Sequence, residues 1–85
     1  MSERDKMFYM RNNKVGERVK QARRNRIPKM TQSDLAIKLE FYDWPICRSG
    51  IAKIEMGIRQ VNDLELIKLA KALSVSCSWL LCEDD

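Results

Sequence analysis

Twice in this chain a residue able to cap a helix is followed three positions later by an acid, and then by apolar residues three and four apart. Thr31 precedes Asp34 and the series Leu35, Ala36 and Leu39, while Asn62 precedes Glu65 and the series Leu64, Ile67, Ala70 and Leu73. A side-chain oxygen at the cap satisfies a free N–H of the first turn, and the acid returns the bond, so each stretch is committed to starting a helix at that point. The spacing that follows puts the apolar residues on one face, and the second series is read as a core-facing stripe. No stretch alternates apolar and polar residues as a half-buried strand would, which makes the chain all-α.

Three further helices complete the set. In the first, Val15, Val19 and Ala22 share a face, and the helix has to stop ahead of Ile27-Pro28, because the residue before a proline is pushed out of helical geometry. The second is expected to run on to Phe41 or Tyr42, with a turn at Asp43-Trp44-Pro45. The third runs from Cys47 or Arg48 to Glu55, buries Ile51 and Ile54, and ends at Gly57, which takes a left-handed backbone without steric cost. The fifth opens at Ser76 and carries Trp79, Leu80 and Leu81, whose bulk closes a core or reaches a partner chain. With 85 residues there is material for a single core. The expected division is a tail at 1–13, a helical domain at 14–82 and an acidic end at 83–85.

Composition removes several classes of function. The chain has no histidine, so neither a Ser/His/Asp nor a Cys/His constellation can form, and its three glycines make no phosphate-binding loop. No catalytic residues and no cofactor are expected. Cys47, Cys77 and Cys82 are odd in number and lack metal-ligand spacing, so they are read as reduced structural thiols with no metal site. The N-terminal MSERDKMFYMRNN has no continuous apolar core of a signal peptide, and nowhere is there an apolar run of roughly 20 residues able to span a bilayer. A cytoplasmic protein with no membrane contact is expected.

Charge points towards a polyanion. The net charge is +4 and the pI about 9.2, but the cations cluster. Arg11, Lys14, Arg18, Lys20, Arg23, Arg24, Arg26 and Lys29 are opposed between them only by Glu17, whereas acids outnumber bases from Gln60 onward. Such a basic segment is what a nucleic-acid backbone would attract, although a solvated helix face has the same composition.

Taken in order, VGERVKQARR, MTQSDLAIKL, CRSGIAKIEMGIR and LELIKLAKALSVSCSWLL resemble the helix-turn-helix family of phage repressors, Cro proteins and their bacterial relatives of the Xre type. The resemblance covers about Val15 to Leu81 and is carried by Met30, Thr31, Gln32, Asp34, Leu35, Ala36, Arg48, Ser49, Ile51, Lys53, Ile54, Glu55, Gly57, Ala72, Leu73, Val75, Ser76, Trp79, Leu80 and Leu81. There are departures. EFYDWPIC replaces the usual tight turn and implies an extended second helix or turn, Cys47 stands where Ser or Thr usually caps the third helix, and Gly50 replaces a residue with a side chain.

What the resemblance implies is specific. The third helix would enter the major groove with Arg48, Ser49 and Lys53 towards base edges, an arginine fork being suited to guanine O6 and N7. Gln32 and Arg59 would contact phosphates, and Arg23 with Glu55 would form an internal ion pair. The implied protein is a transcriptional regulator of the repressor kind that binds double-stranded DNA as a homodimer, joined through the loop from Arg59 to Asn62 and the fifth helix with Trp79. An antitoxin or adaptor of the same fold, whose main partner is another protein, is the alternative.

Overall fold

The computed structural model describes residues 15–83. The expected N-terminal tail, and the last two residues of the acidic end, lie outside that range. Five helices are present and no strand is found among the described residues: α1 over 15–24, α2 over Gln32–Glu40, α3 over Arg48–Glu55, α4 over Asp63–Leu73 and α5 over Cys77–Leu80. Both capping boxes close. The Thr31 hydroxyl accepts from the Asp34 N–H at 3.0 Å while Asp34 accepts from the Thr31 N–H at 2.9 Å, and Asn62 and Glu65 exchange the same pair of bonds at 2.9 and 3.1 Å.

The core is built from the inward stripes of all five helices. Val19 of α1, Leu35 and Leu39 of α2, Ile51 and Ile54 of α3, Leu69, Ala72 and Leu73 of α4, and Leu80 of α5 are all almost completely buried. Dispersion among such side chains and their removal from water supply most of the stability of a domain of this size. Beneath the α3 end of this core, α1 comes unusually close to its neighbour. A methyl group on Gly16 would overlap the Ile54 carbonyl oxygen and lie 2.9 Å from that of Glu55, so only hydrogen fits at that contact.

Two expectations about the helices need correction. The stripe of α4 is displaced: Leu64 is 69% and Ile67 43% exposed, and the face towards the core is formed by Leu66, Leu69, Ala70, Ala72 and Leu73. LELIKLAKAL offers two overlapping apolar faces that share Ala70 and Leu73, and local spacing cannot choose between them. Packing against α2 and α5 chooses the second. The other correction concerns α2, which ends at Glu40 with Phe41 as its C-cap, so the added residues do not lengthen it by a turn.

The additional residues form a turn. Phe41, Tyr42 and Asp43 donate back to carbonyls of the last helical turn, Asp43 takes a left-handed φ of 60°, and the Trp44 N–H closes on the Leu39 carbonyl at 3.1 Å. Trp44 is then buried, so the turn is anchored by its own aromatic residue rather than looping into solvent. Helix α3 ends as expected, with Gly57 at φ 77° and the N–H groups of Ile58 and Arg59 both reaching the Lys53 carbonyl. At the end of α4 the left-handed position is held by Ser74 at φ 58°, which lets the Val75 N–H bond to the Ala70 carbonyl at 3.0 Å.

The Gly16 contact gives a direct test. Alanine is the better helix former, by up to about 1 kcal/mol, but both groups that its methyl would meet are backbone atoms of another helix, which cannot turn aside as a side chain can. Gly16→Ala is expected to lower stability by about 1–3 kcal/mol, the usual range for overpacking. Urea unfolding of the variant beside the parent measures it.

Candidate nucleic-acid interface

The first turns of α2 and α3 open onto one groove of about 750 Å³, lined by Arg23, Arg24, Lys29, Met30, Thr31, Gln32, Ser33 and Arg48. Free N–H groups at the start of α2 and the positive end of its dipole face that side, an arrangement that favours an anion. Arg24, Lys29, Ser33 and Arg48 are exposed along it. Of the DNA contacts expected from the sequence, Gln32 and Arg48 are brought together here, with Arg23 of the expected ion pair beside them.

Beneath the groove lies a buried polar cluster. Arg23 Nε donates to Glu55 Oε2 at 2.8 Å and Arg23 Nη2 to Glu55 Oε1 at 3.0 Å, while Arg23 Nη1 donates to the Met30 carbonyl at 3.0 Å. Both ionic residues are at least nine-tenths buried. Gln32 joins the cluster by donating from Nε2 to Glu55 Oε1 at 3.1 Å. No buried side-chain nitrogen or oxygen among the described residues is left without a partner, which is the condition under which a buried ion pair is tolerable. Gln32 is therefore held from behind by α3, at the rim of the groove, with its amide already oriented.

The remaining predicted contacts stand apart. Ser49 and Lys53 are exposed on the outer face of α3 beyond Arg48 and do not line the groove. The Ser49 Oγ lies 2.9 Å from the Cys47 Sγ, and that hydrogen bond holds the Cys47 thiol below its usual pKa. Arg59 is engaged elsewhere. Its guanidinium donates to both carboxylate oxygens of Glu65, at 3.1 and 2.9 Å, and to the Gln60 carbonyl, and it lies 5.5 Å from the centre of the Trp44 ring. The Arg59 hydrogen bonds keep the Glu65 carboxyl below its usual pKa and Glu65 in return raises that of Arg59. With its fork occupied, Arg59 would have to leave Glu65 to reach a phosphate.

The basic run also divides. Arg18 lies 4.5 Å over the Trp79 ring, Arg26 donates to the Leu73 carbonyl at 3.3 Å, and Arg23 is buried in its ion pair, so these three are spent on the fold. Arg24 and Lys29 are the members that line the groove, with Ser33 beside them from α2. None of these three was singled out from the sequence as a contact. The basic run contained the first two, but charge alone does not say which side of a helix faces the groove.

A family profile described as helix-turn-helix matches residues 19–80. The chain belongs to that family, in the phage-repressor and Xre type, and with it to the DNA-binding regulators. Comparisons with curated proteins and with solved structures gave no match. No helix among the described residues is long and apolar enough to cross a membrane.

The burial of the ion pair sets the size of one effect. Removing Glu55 would leave the Arg23 guanidinium, nine-tenths buried in the wall of the groove, without a counter-charge and would release Gln32 as well. Glu55→Ala is expected to cost about 3–5 kcal/mol, the range for an uncompensated buried partner. Thermal unfolding followed by circular dichroism would read it, and a melting curve superimposable on that of the parent would contradict the assignment.

Proposed function

We propose that this protein is a sequence-specific transcriptional regulator of the repressor kind, which inserts α3 into the major groove and rests the start of α2 on the phosphate backbone. The observation that carries this is the shared groove, where the cationic Arg48 at the first position of α3 and the N-terminal turn of α2 with Gln32 and Ser33 open on the same side of the molecule. Two such helix starts, on helices packed together and joined by the Gln32–Glu55 hydrogen bond, suit a strand of phosphates beside a row of base edges. Arg48 reads guanine, Ser49 and Lys53 continue along the same exposed face, and Gln32 with Arg24 and Lys29 binds phosphate. Arg59 joins the phosphate contacts on exchanging Glu65 for the DNA backbone. The site of action is cytoplasmic DNA.

A single α3 spans too few base pairs for specific occupancy, so the protein acts as a homodimer on two half-sites about one helical turn apart. We place the interface at the loop from Arg59 to Asn62 and at α5. Ile58 and Leu64 flank that loop and are 68% and 69% exposed, which supports an apolar contact there. Trp79 contributes less of its ring than the sequence suggests, because Arg18 covers one face. Two basic α1 segments would repel each other, which argues against pairing through the N-terminal side.

Two measurements follow. Arg48→Ala is expected to lose about 1–3 kcal/mol at one base pair of each half-site and little on scrambled DNA, whereas Gln32→Ala weakens binding to every sequence alike. Affinities for the operator, for operators changed at single base pairs and for scrambled duplex check both, and the parent's affinity should fall log-linearly with salt; absence of binding even at low salt would turn the function towards a protein partner. Sedimentation at micromolar concentration tests assembly. The parent is expected as a dimer on a full operator, weakened by Leu64→Lys, and a parent that stays monomeric both free and on DNA would rule the dimer out.

A further inference from the structure

Two departures from the family pattern, the long turn and the glycine in α3, meet in space. A Cβ on Gly50 would lie 2.7 Å from Ile46 Cγ1 and 3.0 Å from Ile46 Cδ1, so the Ile46 side chain occupies the room that a residue at position 50 would take for itself. Glycine weakens a helix, and here the loss coincides with the arrival of a branched aliphatic side chain from the preceding turn. Ile46 is partly buried, its inner side packed against the core, and the rest of it remains accessible.

Its position around α3 matters. At about 100° per residue, Gly50 lies roughly 60° from the exposed Lys53 and roughly 40° from the buried Ile54, at the boundary between the outer and inner faces of α3. Ile46, resting on Gly50, therefore borders the outer face of α3 on the side away from Arg48. Apart from the half-buried Ala52, which lies between Arg48 and Ser49, that face is polar, and Ser49 and Lys53 hydrogen-bond to base edges. In the major groove the apolar group that a base displays is the 5-methyl of thymine.

We propose, on the recognition role given to α3 above, that Ile46 seated over Gly50 is a specificity-determining residue that selects a thymine by contact with its methyl group. The backbone anchors it for this task. Ile46 donates its N–H to the Trp44 carbonyl at 2.8 Å, and Trp44 is itself buried, so the side chain is held by the core and is not left to find the base by chance. Fixing a contact residue in this way avoids the entropy of ordering it on binding.

The experiment begins with selection of bound sites from random duplex DNA by the parent, by Ile46→Ala and by Gly50→Ala, followed by affinity measurements on the parent's best site with each thymine replaced in turn by deoxyuracil. One thymine per half-site is expected to matter: loss of its methyl should weaken parent binding about fourfold, as for one buried aliphatic carbon. Ile46→Ala should show no such loss and should no longer select that thymine. Gly50→Ala should give the same change without deleting the aliphatic group, since the new methyl displaces Ile46. Replacing guanine by 7-deazaguanine, which removes the N7 acceptor, should weaken all three proteins alike. A parent indifferent to deoxyuracil everywhere, or an Ile46→Ala protein that selects the same site with the same sensitivity, overturns the role of Ile46 and leaves α3 as the reading helix. A parent that selects no site at all removes both.

Discussion

A single carboxylate, that of Glu55, ties together the three helices that form the groove. It sits in the last turn of α3, accepts two hydrogen bonds from Arg23 of α1 and one from Gln32 of α2, and the same guanidinium reaches the Met30 carbonyl in the connection between α1 and α2. Burying two charges is unfavourable by several kcal/mol per ion unless geometry and further hydrogen bonds offset it. The directionality of those bonds then has a use that apolar packing lacks, because a fork meeting a carboxylate tolerates little sliding. In the observed packing of α2 on α3 every buried hydrogen-bonding group of the Arg23–Glu55–Gln32 cluster has a partner, so a shift of one helix along the other would break bonds as well as contacts.

Around that cluster the cations are distributed by geometry rather than by sequence. Arg18, Arg23 and Arg26 stand within nine residues of chain, yet one stacks on Trp79, one is buried and one meets the end of α4. Their positive charges still contribute to a long-range field that draws a polyanion, but a field does not make a contact. The groove takes fewer of the exposed cations, Arg24 and Lys29 from the end of α1 and its connection and Arg48 from α3. Arg59 occupies an intermediate state. Its pair with Glu65 is more than a third exposed on the arginine side, so solvent screening keeps it weak, and a phosphate could compete with the carboxylate.

The long turn between α2 and α3 follows the same economy of anchors. Asp43 takes a left-handed conformation, which aspartate tolerates better than most residues, and this sends Trp44 inward where another chain reversal would have left it exposed. Arg59 then lies over the Trp44 ring and Lys68 reaches the Asp43 carbonyl at 3.4 Å, so the turn is joined to the α3–α4 loop and to α4. Its final residues, Ile46 and Cys47, are delivered to the start of α3 in a defined place. Cys47 caps that helix without a side-chain bond to its backbone, which is why Thr or Ser would be expected there and why the Cys47 sulfur is free to meet Ser49.

Local chemistry alone was enough to determine the all-α class, the starts of α2 and α4 and the end of α3, because caps, capping boxes and a left-handed glycine act within four residues of themselves. The order of those segments also carried the family. What the sequence could not decide were questions answered by distant neighbours: which of two overlapping stripes of α4 turns inward, whether EFYDWPIC lengthens α2 or folds back on it, and which cations of α1 face the groove. Leu64 and Leu66 are equally apolar, and only the positions of α2 and α5 separate them. Arg59 and Arg48 are equally cationic, and only the place of Glu65 makes one a paired residue while the other stays free at a helix start. Gly50 in the sequence is only a missing side chain; in the fold Ile46 occupies the space that side chain would take. Propensity and capping depend on residues adjacent in the chain, whereas burial, pairing and exposure depend on which surfaces exclude water together, and that is a property of the folded molecule alone.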